Sequence, residues 1–316
     1  MLRVLVSGGA GFIGSHLCDS LIADGHHVLC VDNFITGRQR NIEHLLGNPA
    51  FELLEHDIVD DLDPSIVADR VYHLASPASP VGYMRHPIET HLVNSVGTHN
   101  MLRLAQRSGA TFLYTSTSEA YGNPEVHPQP ETYFGNVNPV GPRSCYDESK
   151  RFGESITMEY VRQFALDARI VRIFNTYGPR NDPTDGRVIP NFISAAERSE
   201  PLVIFGDGTQ TRSLCYVSDL VRGLRLAMES LATMGQVINL GNPDERTIAD
   251  LARIITDYCQ SSATIEFVGA RQDDPKRRCP DITKAQTLLG WEPSVGLEDG
   301  LRATIEHFRA AETLHV

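Results

Sequence analysis

Two short stretches hold side chains whose types and spacing could move a proton. CYDESKRFGES sets Tyr146 and Lys150 four residues apart. On a helix that spacing puts both on one face, about 5–6 Å apart at Cβ. A tyrosine with a pKa of about 10 is a poor base at neutral pH. A neighbouring ammonium stabilises the phenolate and lowers that pKa, so the pair can take a proton from a hydroxyl. Alone, a YxxxK pattern commonly marks only a helix surface. The second stretch is TSTSEAYG, residues 115–122, where Glu119 follows a run of hydroxyls that includes Thr115, Thr117 and Ser118. The run closes an apolar segment, TFLY, that reads as a buried strand. A carboxylate there is costly unless something pairs with it or uses it.

The elements that must position these groups show as short apolar runs: RVLVSG, HVLCVD, FELLEHD, RVYHLA, TFLYTST, ARIVRIF and VINLG. Most are continuously apolar, the mark of strands covered on both faces. Helical periodicity lies between them, as in SHLCDSLIADG and HNMLRLAQRSG, the latter stopping after Arg107 at Gly109. The alternation predicts an α/β fold, a Rossmann-type doubly wound parallel sheet. After Tyr177 the texture changes, and YGPRNDPTDGR reads as a loop. A smaller mixed α/β C-terminal substrate domain is expected beyond it. The expected division is residues 1–178 plus about 216–240 in the dinucleotide-binding domain, with 179–215 and 241–316 in the smaller one. In the latter, Asp281 can cap a short helix that stops at Gly290, and Trp291 is expected to anchor the small domain's core.

VLVSGGAGFIGSHL places Gly8, Gly11 and Gly14 between a strand and a helix. Glycines there allow a tight turn and close backbone approach to a pyrophosphate, which the helix N-terminus attracts. Asp32 ends the next strand, 18 residues after Gly14, where it can accept hydrogen bonds from an adenosine ribose. An acid at that place favours NAD over NADP. A bare glycine pattern would be weak evidence, but opening the chain between strand and helix, with the acid in place, it outweighs a glycine-rich turn with no ligand.

The chain has 316 residues and a net charge of −12, with six scattered cysteines. The length suits one large domain or two interleaved ones. The charge speaks against a nucleic-acid partner. No apolar run is long enough for a membrane span, and the start, MLRVLVSGG, enters a strand without a signal peptide. Cysteines without CxxC spacing fit reduced thiols in a cytoplasm and argue against a zinc or disulfide frame. The histidines form no ligand set; His26, His27, His56 and His73 read as packing or loop residues. No metal is expected. Cys145 reads as helix-start packing rather than a nucleophile.

Taken together, GGAGFIG, DN after the second strand, the hydroxyl run and YxxxK resemble the extended short-chain dehydrogenase/reductases, over essentially the whole chain. That superfamily holds nucleotide-sugar epimerases, dehydratases and decarboxylases. HLASPASPVGYMRHP, NVNPVGPRSCYDESKR, RIFNTYGPR, DGRVIPNF, FGDGTQTRSLCYVSDL and DDPKRRCPDITKAQTLLGWEP narrow it: the chain closely resembles UDP-glucuronate decarboxylases (UDP-xylose synthases). The resemblance implies a resident NAD. It implies cofactor contacts at Gly8, Gly11, Phe12, Ile13, Gly14, Asp32, Asn33, Phe34, Thr36, Gly37, Asp57, Ile58, Leu74, Ser76, Thr115, Tyr146, Lys150 and Thr176. For the UDP-sugar it implies Pro77, Tyr83, Glu119, Asn175, Arg187, Phe205, Gln210, Arg212 and Arg278. Catalysis would fall to Thr117, Ser118, Glu119, Tyr146, Lys150 and Arg278.

Dehydratases of this superfamily carry an Asp-Glu pair where this chain has Ser118-Glu119, because water needs an acid to leave. Carbon dioxide needs none, so a decarboxylase fits the serine. Arg278 matches the family arginine that faces the substrate carboxylate, and Glu119 would sit beside it. Two departures stand out. Leu92 replaces a frequent lysine, and NDPTD follows YGPR in a loop that the family places near the nicotinamide. Loss of cofactor retention would release a 4-keto pentose instead of UDP-xylose. A 4-epimerase or 4,6-dehydratase, and a non-catalytic NAD-binding sensor or partner subunit, stay open as other readings. The resemblance also implies a homodimer, paired through helices near 94–108 and 146–164.

Overall fold

The structure, a computed structural model, describes residues 1–269 and 277–313. Its centre is a seven-stranded sheet built from β1 (Arg3–Ser7), β2 (His27–Asp32), β3 (Phe51–Glu55), β4 (Arg70–His73), β5 (Thr111–Thr117), β6 (Ala168–Ile173) and β7 (Val237–Leu240). Each apolar run named above contributes one strand. The spatial order is β7-β6-β5-β4-β1-β2-β3, and every pairing is parallel. Helices cover both faces, so β1 and β5 bury nearly every residue.

A parallel sheet brings the carboxyl ends of its strands to one edge. The order reverses between β1 and β4, which opens a crevice at that edge. Ser7 of β1 stands level with Val31 of β2 and His73 of β4. Thr117 of β5 stands level with Ile173 of β6. Gly8 leaves β1 with φ +76°, and a Cβ there would lie 2.7 Å from the Ala75 backbone, so only glycine lets β1 and β4 part this closely.

Three helices position the site. Helix α1 (Phe12–Ala23) follows the glycine turn. Helix α2 (Thr98–Ser108) ends at Gly109 in the left-handed region, as its sequence signals. Helix α3 (Ser144–Phe164) carries Tyr146 and Lys150. A second apolar cluster gathers around Ile193, Leu202, Ile204, Leu251, Ile255 and Leu301. It binds the helices Val188–Glu197, Ile248–Cys259 and Leu297–Thr313 to the strand pair Leu202–Phe205 and Ile265–Val268. The helix Val217–Glu229 returns to pack on α1, and β7 extends the main sheet.

One expectation is corrected. Trp291 does not anchor the small unit. It is fully buried in the main core with Leu224 and Leu240, and its indole N–H donates to the Asp219 carbonyl at 2.9 Å. The helix Thr283–Leu289 packs on β7, so this part of the stretch after residue 241 belongs to the main body. The cause is the apolar face of the helix Val217–Glu229, which needs a cover that the small unit does not supply. Trp291→Ala should therefore destabilise the main core by about 3–5 kcal/mol, read as a shift in the urea midpoint with unchanged slope.

Candidate active site

A cleft of about 1110 Å³ runs along the carboxyl edge of the sheet to the small unit. Every cofactor, substrate and catalytic position inferred from the sequence lines it. That includes Gly37 and Thr36 at one end, Leu74, Ser76 and Pro77 in the middle, and Asn175, Phe205 and Gln210 toward the small unit.

At the cofactor end, α1 is preceded by Gly11, which offers no side-chain cap. The first-turn N–H groups at Phe12 and Ile13 are therefore placed for an anion. Gly14 faces the turn so closely that a Cβ would lie 2.1 Å from the Gly8 carbonyl oxygen. Asp32 accepts from the Ala10 N–H through Oδ2 and the Phe34 N–H through Oδ1, each at 2.9 Å. Each oxygen keeps a lone pair for a ribose hydroxyl. Asn33 donates to Asp57 at 2.9 Å, and Phe34 takes φ +57° to turn the chain away. This cradle fits a dinucleotide's pyrophosphate and ribose. Gly14→Ala is expected to weaken NAD binding about 100-fold, roughly 2.7 kcal/mol, measured by equilibrium titration of apoprotein with NAD.

The stretch from Pro179 through the NDPTD loop lines the cleft and reaches back to α1. His16 Nε2 meets the Pro179 carbonyl at 2.9 Å, Arg180 pairs with Asp19 at 2.7 Å, and Arg38 Nε donates to Asp182 at 3.1 Å. Arg38 follows Gly37, whose Cα neighbourhood touches the Asp32 carboxylate. The loop thus straps α1 and the ribose end of the cleft.

Tyr146 is buried and stacks on Tyr83, ring centroids 5.1 Å apart and 8° from parallel. The Lys150 ammonium donates to the Thr115 carbonyl at 2.9 Å and lies 5.9 Å from the Tyr146 ring centre. Here the expectation of a lowered tyrosine pKa fails. Burial pushes Tyr146 up to about 12, and the Thr117 hydrogen bond and the Arg187 charge only partly offset it. Burial also pushes Lys150 down to about 7, which weakens its hold on a phenolate. The phenol is therefore positioned rather than pre-ionised. Burial likewise raises the Cys145 thiol, which contacts the Tyr83 carbonyl at 3.7 Å, in keeping with packing.

Glu119 is the second residue of a helical turn, Ser118–Tyr121, capped by Thr117, whose Oγ1 accepts the Glu119 N–H at 3.2 Å. Arg278 grips both carboxylate oxygens, Nη2 reaching Oε2 at 3.0 Å. Arg143 donates to the same Oε2 at 2.5 Å. Burial pushes this carboxyl up, but Arg278 and Arg143 together outweigh it and hold it at about 2. Arg187 donates to the Ala78 carbonyl and Arg212 to the Thr211 carbonyl, at 2.7 and 2.8 Å; both also face the cleft.

Sequence reasoning missed three groups. Arg143 stands inside a quoted motif, and a buried acid's need for counter-charge was the signal for it. Asp147 is buried beside Tyr146, and burial followed by the charge of Glu119 pushes it up to about 7. Asn94 sits in a π-helical widening, Val93–Gly97, and its amide joins Ser76 and Ser149 at 3.0 and 3.1 Å; one-residue insertions of this kind leave no periodicity mark. His73 bridges Ser7 and Thr98 and is packing. Away from the cleft, His127, Glu245 and Cys279 bring ligand atoms within 4.8 Å of one another. The Arg277 guanidinium contacts His127 at 2.6 Å and Glu245 at 3.2 Å, and so already supplies a cation there.

Comparison with known proteins sorts these features. The GDP-mannose 4,6-dehydratase family model matches residues 5–304. UDP-glucuronic acid decarboxylase 1 of Xenopus tropicalis is 54% identical over 307 residues, 97% of this chain and 72% of its own length. The chain belongs to the UDP-glucuronic acid decarboxylase family. Another such decarboxylase, number 6 of Arabidopsis thaliana, is 50% identical over 98% of this chain and 89% of its own. Among solved structures, the UDP-glucuronic acid 4-epimerase of Bacillus cereus, in complex with UDP-glucuronic acid and NAD, has a TM-score of 0.87 at 32% identity. It is covered to 99%, against 98% of this chain. The dTDP-glucose 4,6-dehydratase of Streptomyces venezuelae, with NAD bound, reaches 0.90 at 27% identity, covering 99% of this chain and 98% of that one. As a member of the UDP-glucuronic acid decarboxylase family the chain is an enzyme with NAD as cofactor, of the extended short-chain dehydrogenase/reductase class.

Proposed function

We propose that the protein decarboxylates UDP-glucuronate through a 4-keto intermediate and yields UDP-xylose. The observation that carries this reading is the buried Glu119–Arg278 pair placed in one cleft with Tyr146 and Lys150. NAD, held along the glycine turn and Asp32, would accept hydride from C4 and give it back. Tyr146, held by Thr117, takes the 4-hydroxyl proton. The resulting ketone lies β to the C5 carboxylate, so carbon dioxide leaves to give a stabilised enolate, which is protonated at C5, and Tyr146 then returns its proton to the C4 oxygen. Arg278 faces that carboxylate with a planar fork that suits it. Ser118 supplies no acid, and none is needed. Arg187, Arg212, Asn175, Gln210, Phe205, Pro77 and Tyr83 receive the UDP-sugar.

The test is to incubate the protein with UDP-glucuronate and NAD and follow carbon dioxide, reduced-nicotinamide absorbance and the sugar by NMR. Carbon dioxide with UDP-xylose and no accumulated NADH supports the full redox-neutral cycle. Carbon dioxide with equivalent NADH and a 4-keto pentose replaces it with an interrupted one. Inversion at C4 without carbon dioxide would overturn the reading in favour of an epimerase.

Three further proposals accompany it. Ile88, Leu92 and Val96 repeat every four residues and are exposed, Ile88 by 64%, with Phe152 of α3 exposed by 47%. Such a stripe suits a two-fold helix pairing, so the protein is proposed to act as a homodimer. Ile88→Glu should give a monomer by sedimentation. The six cysteines are all buried and unpaired, and among the described residues no helix is long and apolar enough to cross a membrane; both support a cytoplasmic setting. The small unit, 179–215 with most of 241–269 and 297–313, is proposed to hold the nucleotide sugar.

A further inference from the structure

We infer that Arg143 is the positioning residue that lets Arg278 exchange Glu119 for the substrate's carboxylate. The inference rests on the reading of Arg278 given above. Arg278 is only 3% exposed, and its fork is already committed to both oxygens of Glu119. A sugar carboxylate can recruit the Nη1/Nη2 edge of that fork only by drawing it off Glu119; the Nε–H, buried without a partner, is the one donor left over. A buried carboxylate left without a counter-charge is strongly unfavourable and takes up a proton instead. Arg143 prevents that outcome, because it donates at 2.5 Å to Oε2, the oxygen that Arg278 Nη2 also holds. After the exchange, Glu119 pairs with Arg143 and the substrate pairs with Arg278. Each carboxylate then has a guanidinium of its own, where before Arg278 and Arg143 shared one.

The placement of the residues supports the exchange. Arg143 immediately precedes α3, three residues before Tyr146, so one helix start sets both the tyrosine and the clamp. Arg278 comes from the opposite wall, where its carbonyl accepts from Ser213 at 3.2 Å and its Nη2 also reaches the Gly122 carbonyl at 3.4 Å. The other charged or titratable groups whose fields couple to Glu119 are Arg212, Asp147, Tyr83 and Tyr146.

The test counts protons. NAD-loaded Tyr146→Phe protein is titrated calorimetrically with UDP-glucuronate and with UDP-glucose at pH 6, in buffers of different ionisation enthalpy. At that pH Asp147, raised to about 7, is already mostly protonated and adds little. The Tyr146→Phe parent should show no extra proton with UDP-glucuronate over UDP-glucose. Adding Arg143→Met should raise the uptake by about one proton for UDP-glucuronate only, and Arg143→Lys should abolish the excess. In the otherwise wild-type enzyme, Arg143→Met should lower kcat for carbon dioxide release about 100-fold. A parent that takes up a full proton with UDP-glucuronate overturns the inference without any Arg143 variant, so a variant that fails to fold does not shelter it. Unchanged uptake or unchanged kcat in Arg143→Met overturns it as well. Wild-type protein that releases no carbon dioxide instead overturns the decarboxylase reading beneath it.

Discussion

Tyr146→Phe should lower the rate of carbon dioxide release by about 10³-fold, within the span of general acid–base contributions, while NAD stays bound. The phenol is the group that Thr117 orients, and it lies in the cleft with Lys150. On the proposed mechanism, removing its oxygen removes the acceptor for the C4 hydroxyl proton. Little else should change, because phenylalanine keeps the stack on Tyr83 and Thr117 keeps its bond to the Glu119 N–H. The loss should appear in kcat, with substrate affinity near that of the wild type. Reduced-nicotinamide absorbance in a single turnover locates the defect, since a missing first step leaves no NADH. A variant that retains a tenth of the activity would mean that the proton leaves by another route.

Glu119→Gln should destabilise the fold by about 3–5 kcal/mol, because two guanidinium groups lose their shared anion in a buried place. The same change should remove most decarboxylation, since Arg278 and Arg143 would then repel each other across a neutral amide. The pH dependence has a definite sign. Arg278 and Arg143 overcome burial and depress the Glu119 pKa to about 2, below its ordinary 4.5. Its stabilising contribution is therefore complete above about pH 4.5 and fades as pH falls toward 2. The difference in urea midpoint between wild type and Glu119→Gln should be full at pH 7 and shrink at pH 3.5. A difference that does not change with pH would mean that the pair's charge is not what stabilises the site.

Much of this arrangement was legible in the residues. Continuous apolar runs foretell strands covered on both faces, and each of the seven does form one, down to the end of β5 at Thr117. The glycine turn and the acid at position 32 do come together on the cleft wall, because the strand–turn–helix spacing there admits few alternatives. What stayed hidden was set by three-dimensional charge and cover. Arg143 and Asp147 look like ordinary helix-start residues until Glu119 is seen beside them. Asn94 works through a local widening that no hydrophobic period encodes. Trp291 was assigned to the wrong core because sequence distance does not say which exposed face needs a lid. The tyrosine pKa was misjudged because spacing reports the nearby cation but not the loss of water around both groups.

The late return of the chain to its first half bears on synthesis. A nascent chain that has emerged only through Tyr177 holds β1 to β6, with β6 as a bare edge. Its missing neighbour, β7, is made some sixty residues later, and the tryptophan that seals the helix before β7 is made fifty residues after that. An unpaired edge of that kind is an invitation to pair with another chain. The ribosome therefore exposes a nearly finished nucleotide fold for much of translation, and its hazard in the cell is mispairing during that interval rather than slow chemistry afterwards.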